Sequence, residues 1–471
     1  MVAFALPSCL LHRCLRKVRR IGLAAKGVPC RSMRTSIQRS LTSCDSLEDV
    51  LNLIGEGDLQ SWHPIAVSLA WHRLARYARG KHAQRFQARV RHATLQLAAT
   101  YETLDLDAFD TRSLATTIYA WGKLRFRQES VTAPVFMHTA ERINECNNQE
   151  LSNIVYALGL LRCSRRLPIL RAACVQVSAR HGSLNPQELS NISYALALTR
   201  FRDDSTLRSI SKSILGMLND CTPQGLSNIL YSFGLLQYYS SHFLEAVCVH
   251  ASDRVANFNE QELSMAVYAL ASLKLRHVPF LSAACASSLG RLHDFKPMGI
   301  SSLLHSCAIL AHRDDAYLLA MCRHAVQRLP EFNAQDISNI VYALGLLEFP
   351  EERLLDALTA QTVHRLTEFT GQGIANIIYA MGLLDYRNEQ LLQEVCRYLP
   401  MELDRLTEQH VSNIVYALGL LSFSSVDLFW RALVLSWSGR TAEFTPQGIC
   451  MSAYGLSLLR RPSRHCSRIS R

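Results

Sequence analysis

Over residues 108–459 apolar and polar positions recur as one block, written xxQxLSNIVYALGLL, with apolar residues three and four apart. That spacing predicts an amphipathic helix. The central aromatic of the block falls at Tyr119, Tyr156, Tyr194, Tyr231, Tyr268, Tyr342, Tyr379, Tyr416 and Tyr454, with His305 in the same slot. Successive slots lie 37 or 38 residues apart. A fixed period of this size predicts stacked repeats, not separate globular domains. The stretch 65–74, ending Trp71-His72-Arg73-Leu74, predicts a longer, degenerate first unit.

Each unit predicts two helices, A and B. Nine residues before the aromatic stand Asp110, Asn147, Asn185, Thr222, Asn259, Asn333, Thr370, Thr407 and Thr445, with Lys296 the exception. These are N-cap residue types, whose side-chain oxygens accept the free N–H groups of a first helical turn. Pro186, Pro223, Pro297 and Pro446 follow at the first helical position, and Glu150, Glu188 and Glu262 predict capping boxes. Helix B follows a short turn, as in 352–366. It carries Cys174, Cys248, Cys285, Cys322 and Cys396 at one slot, where other units have Ser211, Thr359 and Leu433. A slot that accepts all four residue types is a small packing site. The expected fold is all-α: a right-handed superhelical solenoid of about ten or eleven units. Residues 45–107 form an N-terminal region before the array at 108–459, and 460–471 form an Arg-rich tail.

Composition narrows the class. With 49% hydrophobic and 19% charged residues in 471, wholesale disorder is excluded. No apolar run reaches ~18 residues, so no membrane span is expected. The fifteen cysteines include no CxxC pair, and there is no HExxH, so no metal or other cofactor is expected. No P-loop, Gly-rich phosphate loop or nucleophile motif is present, which points away from an enzyme.

The net charge of +11 is unevenly spread. Residues 1–44 hold nine Lys or Arg and no acid. Leu10, Leu11, Leu15, Val18 and Ile21 alternate there with Arg13, Arg16, Lys17, Arg19 and Arg20, the pattern of an organellar transit peptide. A mitochondrial matrix address is expected ahead of a plastid one. Arg73, Arg76, Arg79, Lys81, Arg85, Arg89 and Arg91 form a second basic cluster, and the tail holds five Arg. Six residues after the aromatic, the array reads Arg125, Arg162, Arg200, Gln237, Lys274, Ala311, Glu348, Asp385, Ser422 and Arg460, turning from basic to acidic.

Helix A also carries a polar stripe. Seven residues before the aromatic stand Gln149, Gln187, Gln224, Gln261, Gln335, Gln372, Gln409 and Gln447. Three before it stand Asn153, Asn191, Asn228, Asn339, Asn376 and Asn413. Offsets of four and three put Gln, Asn and Tyr on one helical face. Two readings fit. The amides can hydrogen-bond neighbouring helix backbones while Tyr packs between repeats. Alternatively, Tyr stacks bases and the amides meet base edges, one unit per nucleotide. Arg73, Arg76, Arg125, Arg162 and Arg200 then supply phosphate contacts.

The repeated Ser-Asn-Ile-Val-Tyr-Ala string and the 37-residue period, behind an Arg-rich presequence, resemble the heptatricopeptide-repeat proteins of alveolate mitochondria. They are also similar to FAST-kinase-like arrays and to a subunit of the trypanosomatid RNA-editing substrate-binding complex. The resemblance covers residues 58–459. It implies binding of single-stranded organellar RNA, in transcript processing, stability or editing or in mitoribosome assembly, alongside other proteins of a ribonucleoprotein complex. Many such proteins end in a nuclease-like RAP domain. The 17 residues after Tyr454 leave no room for one, so nuclease activity is not expected. The alternative function is a protein–protein scaffold of armadillo or HEAT type.

Overall fold

The computed structural model describes residues 31–78, 81–161, 166–423, 430 and 443–459. Residues 1–30 of the basic leader, Arg79, Arg162, Leu433 and the tail 460–471 lie outside the described residues. Among the described residues there are helices and no strands. The chain divides into two units, residues 1–173 and 174–471.

Helix A begins where the caps predict. The side chains of Asp110, Asn147, Asn185, Thr222, Asn259, Asn333, Thr370, Thr407 and Thr445 each accept the N–H three residues on. Lys296 makes no such bond. Glu150, Glu188 and Glu262 complete capping boxes, joined by Asp336 and His410. The residues before the cap, among them Phe109, Phe258, Phe295 and Phe332, are buried, except Phe444, which is half-buried.

Helix A ends on a left-handed residue. Arg125, Arg200, Gln237, Lys274, Ala311, Glu348, Asp385 and Ser422 have φ between 48° and 54°. The Arg125 N–H donates to the Gly122 carbonyl at 3.3 Å and the Phe126 N–H to the Trp121 carbonyl at 3.0 Å. This pair of bonds closes the helix as a Schellman turn. The following aromatic folds back onto the helix it ends: Tyr238 meets Phe233 at 5.0 Å and Phe126 meets Trp121 at 5.7 Å between ring centres. Helix B follows, as in Glu352–His364, and then a 3-10 turn, as in Leu366–Glu368, which the sequence pattern did not predict.

In residues 1–173, helices Arg31–Ser43, Leu47–Glu56, Pro64–Tyr77 and Gln87–Ala99 precede A helices Thr111–Leu124 and Asn148–Leu161. Pro64–Tyr77 is the degenerate first A helix. Its Ser68 hydroxyl donates to the Ser113 carbonyl at 3.0 Å, and Trp71 meets Trp121 edge-on at 5.9 Å. In residues 174–471, A helices run from Pro186–Thr199 to Pro446–Leu459, each packed on the next. Small residues set that packing. A Cβ placed on Gly345 would lie 2.7 Å from the Ala380 Cα, and one on Gly382 would lie 2.9 Å from the Ala417 Cα. The A helices therefore meet backbone to backbone.

Arginines link neighbouring units. Arg142, Arg328 and Arg365 donate backward to the carbonyls of Phe109, Phe295 and Phe332 at 2.8, 2.6 and 2.9 Å. Each is also paired with a carboxylate three residues on. Arg202, Arg313 and Arg387 donate forward to the carbonyls of Gln237, Leu347 and Leu421 at 2.9, 2.9 and 3.0 Å. Their partners Asp204, Asp315 and Glu389 lie two residues on. The helix-B cysteines are buried, as a packing slot requires. Burial pushes the thiols of Cys174, Cys248, Cys322 and Cys396 up to about 12, which leaves them protonated and unreactive.

Candidate nucleic-acid interface

The helical offsets bring the Gln, Asn and Tyr slots together on one solvent-facing side of each A helix. Gln149, Gln187, Gln224, Gln335, Gln372 and Gln409 are exposed. Asn153, Asn191, Asn228, Asn339, Asn376 and Asn413 are half-buried, as are Tyr156, Tyr194, Tyr231, Tyr342, Tyr379 and Tyr416. Apart from Asn228, the stripe amides make no hydrogen bond to a neighbouring helix among the described residues. Gln187 and Gln335 donate to Asn191 and Asn339 of their own helix at 3.1 and 2.9 Å. Asn228 reaches Ser190 of the preceding unit at 3.5 Å. Among the described residues no stripe amide bonds a neighbouring helix backbone.

The aromatic slots form ladders. In residues 1–173, Tyr119 and Tyr156 lie 6.4 Å apart between ring centres. In residues 174–471, the steps Tyr194–Tyr231, Tyr231–Tyr268, His305–Tyr342, Tyr342–Tyr379, Tyr379–Tyr416 and Tyr416–Tyr454 measure 5.9 to 6.4 Å. A base between two rings needs ~3.5 Å on each side, about 7 Å in all, with the planes parallel. The rings are tilted by 31–40° in these six steps and sit closer than that. The ladder therefore offers ring edges and hydroxyls, not slots for inserted bases. Burial raises the phenols of Tyr231, Tyr342 and Tyr379, so they stay neutral hydrogen-bonding groups. Burial likewise lowers His305, which remains a neutral ring in the ladder.

The left-handed turn gives each charge of the sixth slot a fixed, exposed position at the end of helix A. Arg125, Arg200 and Lys274 are exposed and have no ion-pair partner among the described residues. Arg162 lies outside the described residues. Arg73 is half-buried and donates to the Thr42 carbonyl at 2.7 Å, so it fastens the N-terminal helix. Arg76 is exposed beside the Tyr77 ring at 5.6 Å. Arg85 and Arg89 flank Phe86 at 4.8 and 5.8 Å, with Arg89 also held by Asn52.

Sequence reasoning passed over Lys123. Its ammonium lies 5.2 Å from the Tyr119 ring centre and 4.6 Å from that of Tyr156, on the amide-bearing face itself. The signal was there: this slot, four after the aromatic, is Leu160, Leu198, Leu235, Leu346, Leu383 and Leu420 in other units. The left-handed turn was equally concealed, because no glycine marks it. Its trace is the absence of any β-branched residue from the sixth slot, since such residues tolerate positive φ worst.

In each of the two units the A helices thus present a neutral hydrogen-bonding face; the helix ends carry the unpaired cation Arg125 in residues 1–173, and Arg200 and Lys274 followed by Glu348 and Asp385 in residues 174–471. No curated protein sequence matches the chain. The profile of the RNA-editing substrate-binding complex 8 protein family matches residues 95–392, more than half of the chain. The chain is a member of the RNA-editing substrate-binding complex 8 protein family.

Proposed function

We propose that this chain is a non-enzymatic, RNA-binding subunit of a mitochondrial RNA-editing substrate-binding complex. Single-stranded RNA is held by its phosphates and met by the amides of helix A. The observation that carries the reading is the sorting of the cations. The inter-unit arginines are committed to carbonyls and carboxylates, whereas Arg125 in residues 1–173 and Arg200 and Lys274 in residues 174–471 project unpaired from the C-terminal ends of their A helices. Phosphate binding requires unpaired cations, and outward amides suit unstacked bases. Lys123 adds a charge within the face in residues 1–173. The basic leader supports a mitochondrial address. Leu41 and Cys44 are buried and Thr42 accepts from Arg73, so the removable part ends before Leu41 in this reading.

Titrating the full chain with a fluorescent single-stranded oligonucleotide tests the RNA claim. Arg125→Ala with Arg200→Ala and Lys274→Ala is expected to weaken binding to every sequence alike. Unchanged affinity and salt dependence would contradict it. Fusing residues 1–40 to a fluorescent reporter tests the address, and a cytosolic reporter would sink it.

A further inference from the structure

The unit built on helix Pro297–Ile309 departs from its neighbours inside the core. Two residues after the aromatic slot the other units carry Trp, Phe, Met or Leu, as at Leu270 and Leu344, whereas this one carries Cys307. The Cys307 sulfur lies 3.9 Å from that of Cys285, on the preceding helix B, Val278–Leu289. Both thiols are buried. Helix B has cysteine at this slot in other units as well, but by the repeat Cys248 faces the slot of Leu270 and Cys322 that of Leu344. One departure from the pattern thus sets two sulfurs in contact across a junction between units.

The same unit is weakly closed. Lys296 leaves the first turn of its helix without a side-chain cap. The Ser306 hydroxyl is buried with no hydrogen-bond partner among the described residues, although Ser232, in the same slot, donates to the Asn228 carbonyl. His312 stands where Tyr238 and Phe349 follow the left-handed turn in other units, and its Nε2 is also buried and unpartnered among the described residues. A missing cap and buried unsatisfied groups each cost stability, so this unit opens before its neighbours. We infer that Cys285 and Cys307 are an oxidisable dithiol, closed to a disulfide by a peroxide, which staples helix B of one unit to helix A of the next where the array opens most readily. Hydrogen bonding to Cys307 and burial raise the Cys285 thiol, so it stays protonated while the unit is closed. On opening, the Cys285 sulfur attacks one oxygen of hydrogen peroxide. The O–O bond breaks, a sulfenic acid forms, and the other oxygen leaves as water with the thiol proton. The Cys307 sulfur then attacks the sulfenic sulfur. The S–S bond forms, the S–O bond breaks, and the hydroxyl leaves as a second water with the Cys307 proton. The two thiols lose two electrons and the peroxide gains them. The inference uses no residue of the RNA face and stands if that reading fails.

The test exposes the full chain to hydrogen peroxide, digests it without reduction and maps the peptides by mass spectrometry. A species joined through Cys285 and Cys307 is expected, and dithiothreitol should release it. Oxidation is expected to slow hydrogen exchange in residues 297–309 by about tenfold or more, because the bond restricts the opened chain. Cys307→Leu restores the residue of the neighbouring units and is expected to fold, with neither the linkage nor the slowing. Cys285→Ser, with the residue that Ser211 supplies in another unit, is expected to behave alike. Recovery of both cysteines as thiols, or oxidised singly and unlinked, under peroxide that oxidises the exposed Cys450 overturns the inference. So does a linkage that leaves exchange in residues 297–309 unchanged, or a slowing that Cys307→Leu shows equally.

Discussion

Replacing Gly345 by Ala tests the packing of the A helices more sharply than any core truncation. In an ordinary helix interior the change stabilises by roughly 0.5–1 kcal/mol, because glycine loses more backbone freedom on folding. Here the new methyl would stand 2.6 Å from the Ala380 Cβ and 2.7 Å from its Cα. The Ala380 Cα belongs to a neighbouring helix backbone and cannot rotate away. The helices must separate, and overpacking of this kind costs typically about 1–3 kcal/mol. The clash outweighs propensity, giving a net destabilisation of about 1–2 kcal/mol. Gly234→Ala is the internal comparison: its methyl would meet Ala269 at 3.1–3.4 Å, which a shift of tenths of an ångström relieves, so its net effect should be near zero. Urea melts of the full chain measure both, and hydrogen exchange at residues 334–346 and 371–383 reports where the destabilisation falls. Adding Ala380→Gly to Gly345→Ala should recover part of the stability, since the methyl-to-methyl clash at 2.6 Å disappears while the backbone one stays. A Gly345→Ala protein as stable as the parent, or more stable, would refute the backbone-to-backbone account.

Other outcomes follow from the same geometry. Lys274→Gly and Ser422→Gly should each raise stability by about 1 kcal/mol, because a left-handed conformation penalises any residue with a Cβ; thermal melts check this. Tyr231→Ala should lower the melting temperature while leaving RNA affinity of the folded protein unchanged, since its ring is engaged by Tyr194 and Tyr268. His305 is held below the ordinary imidazole value by burial, so the unfolded chain binds more protons. Stability should then fall as pH drops through ~6.5, and His305→Tyr should blunt that fall in melts between about pH 5 and pH 8.

Most of the fold was legible because the determinants of helix starts are local. A cap such as Asn333 acts on a residue three positions away, and the 37-residue period repeats that signal many times over. Helix ends were harder to read, since the left-handed turn carries Arg, Lys or Glu instead of glycine. The arginine links were invisible because Arg313 and Arg365 act on carbonyls 34 and 33 residues away. Of the site, the shared face of Gln, Asn and Tyr followed from helical geometry. What each group can do there depended on spacing between units. The ladder steps of 5.9–6.4 Å remove base insertion, and the fastening of Arg73 to Thr42 separates it from Arg76. Neither distance is encoded in residue type.

The central claim is that unpaired cations in the earlier units hold single-stranded RNA by its phosphates. The most direct test is the salt dependence of oligouridylate binding to the full chain, compared with the Arg125→Ala, Arg200→Ala, Lys274→Ala variant. Removing each phosphate-binding cation should reduce the slope of log affinity against log salt by roughly 0.7, about 2 in total. The account predicts that reduction together with weaker binding at low salt and an unchanged melting temperature. A variant that binds with the parent's slope and affinity would contradict it.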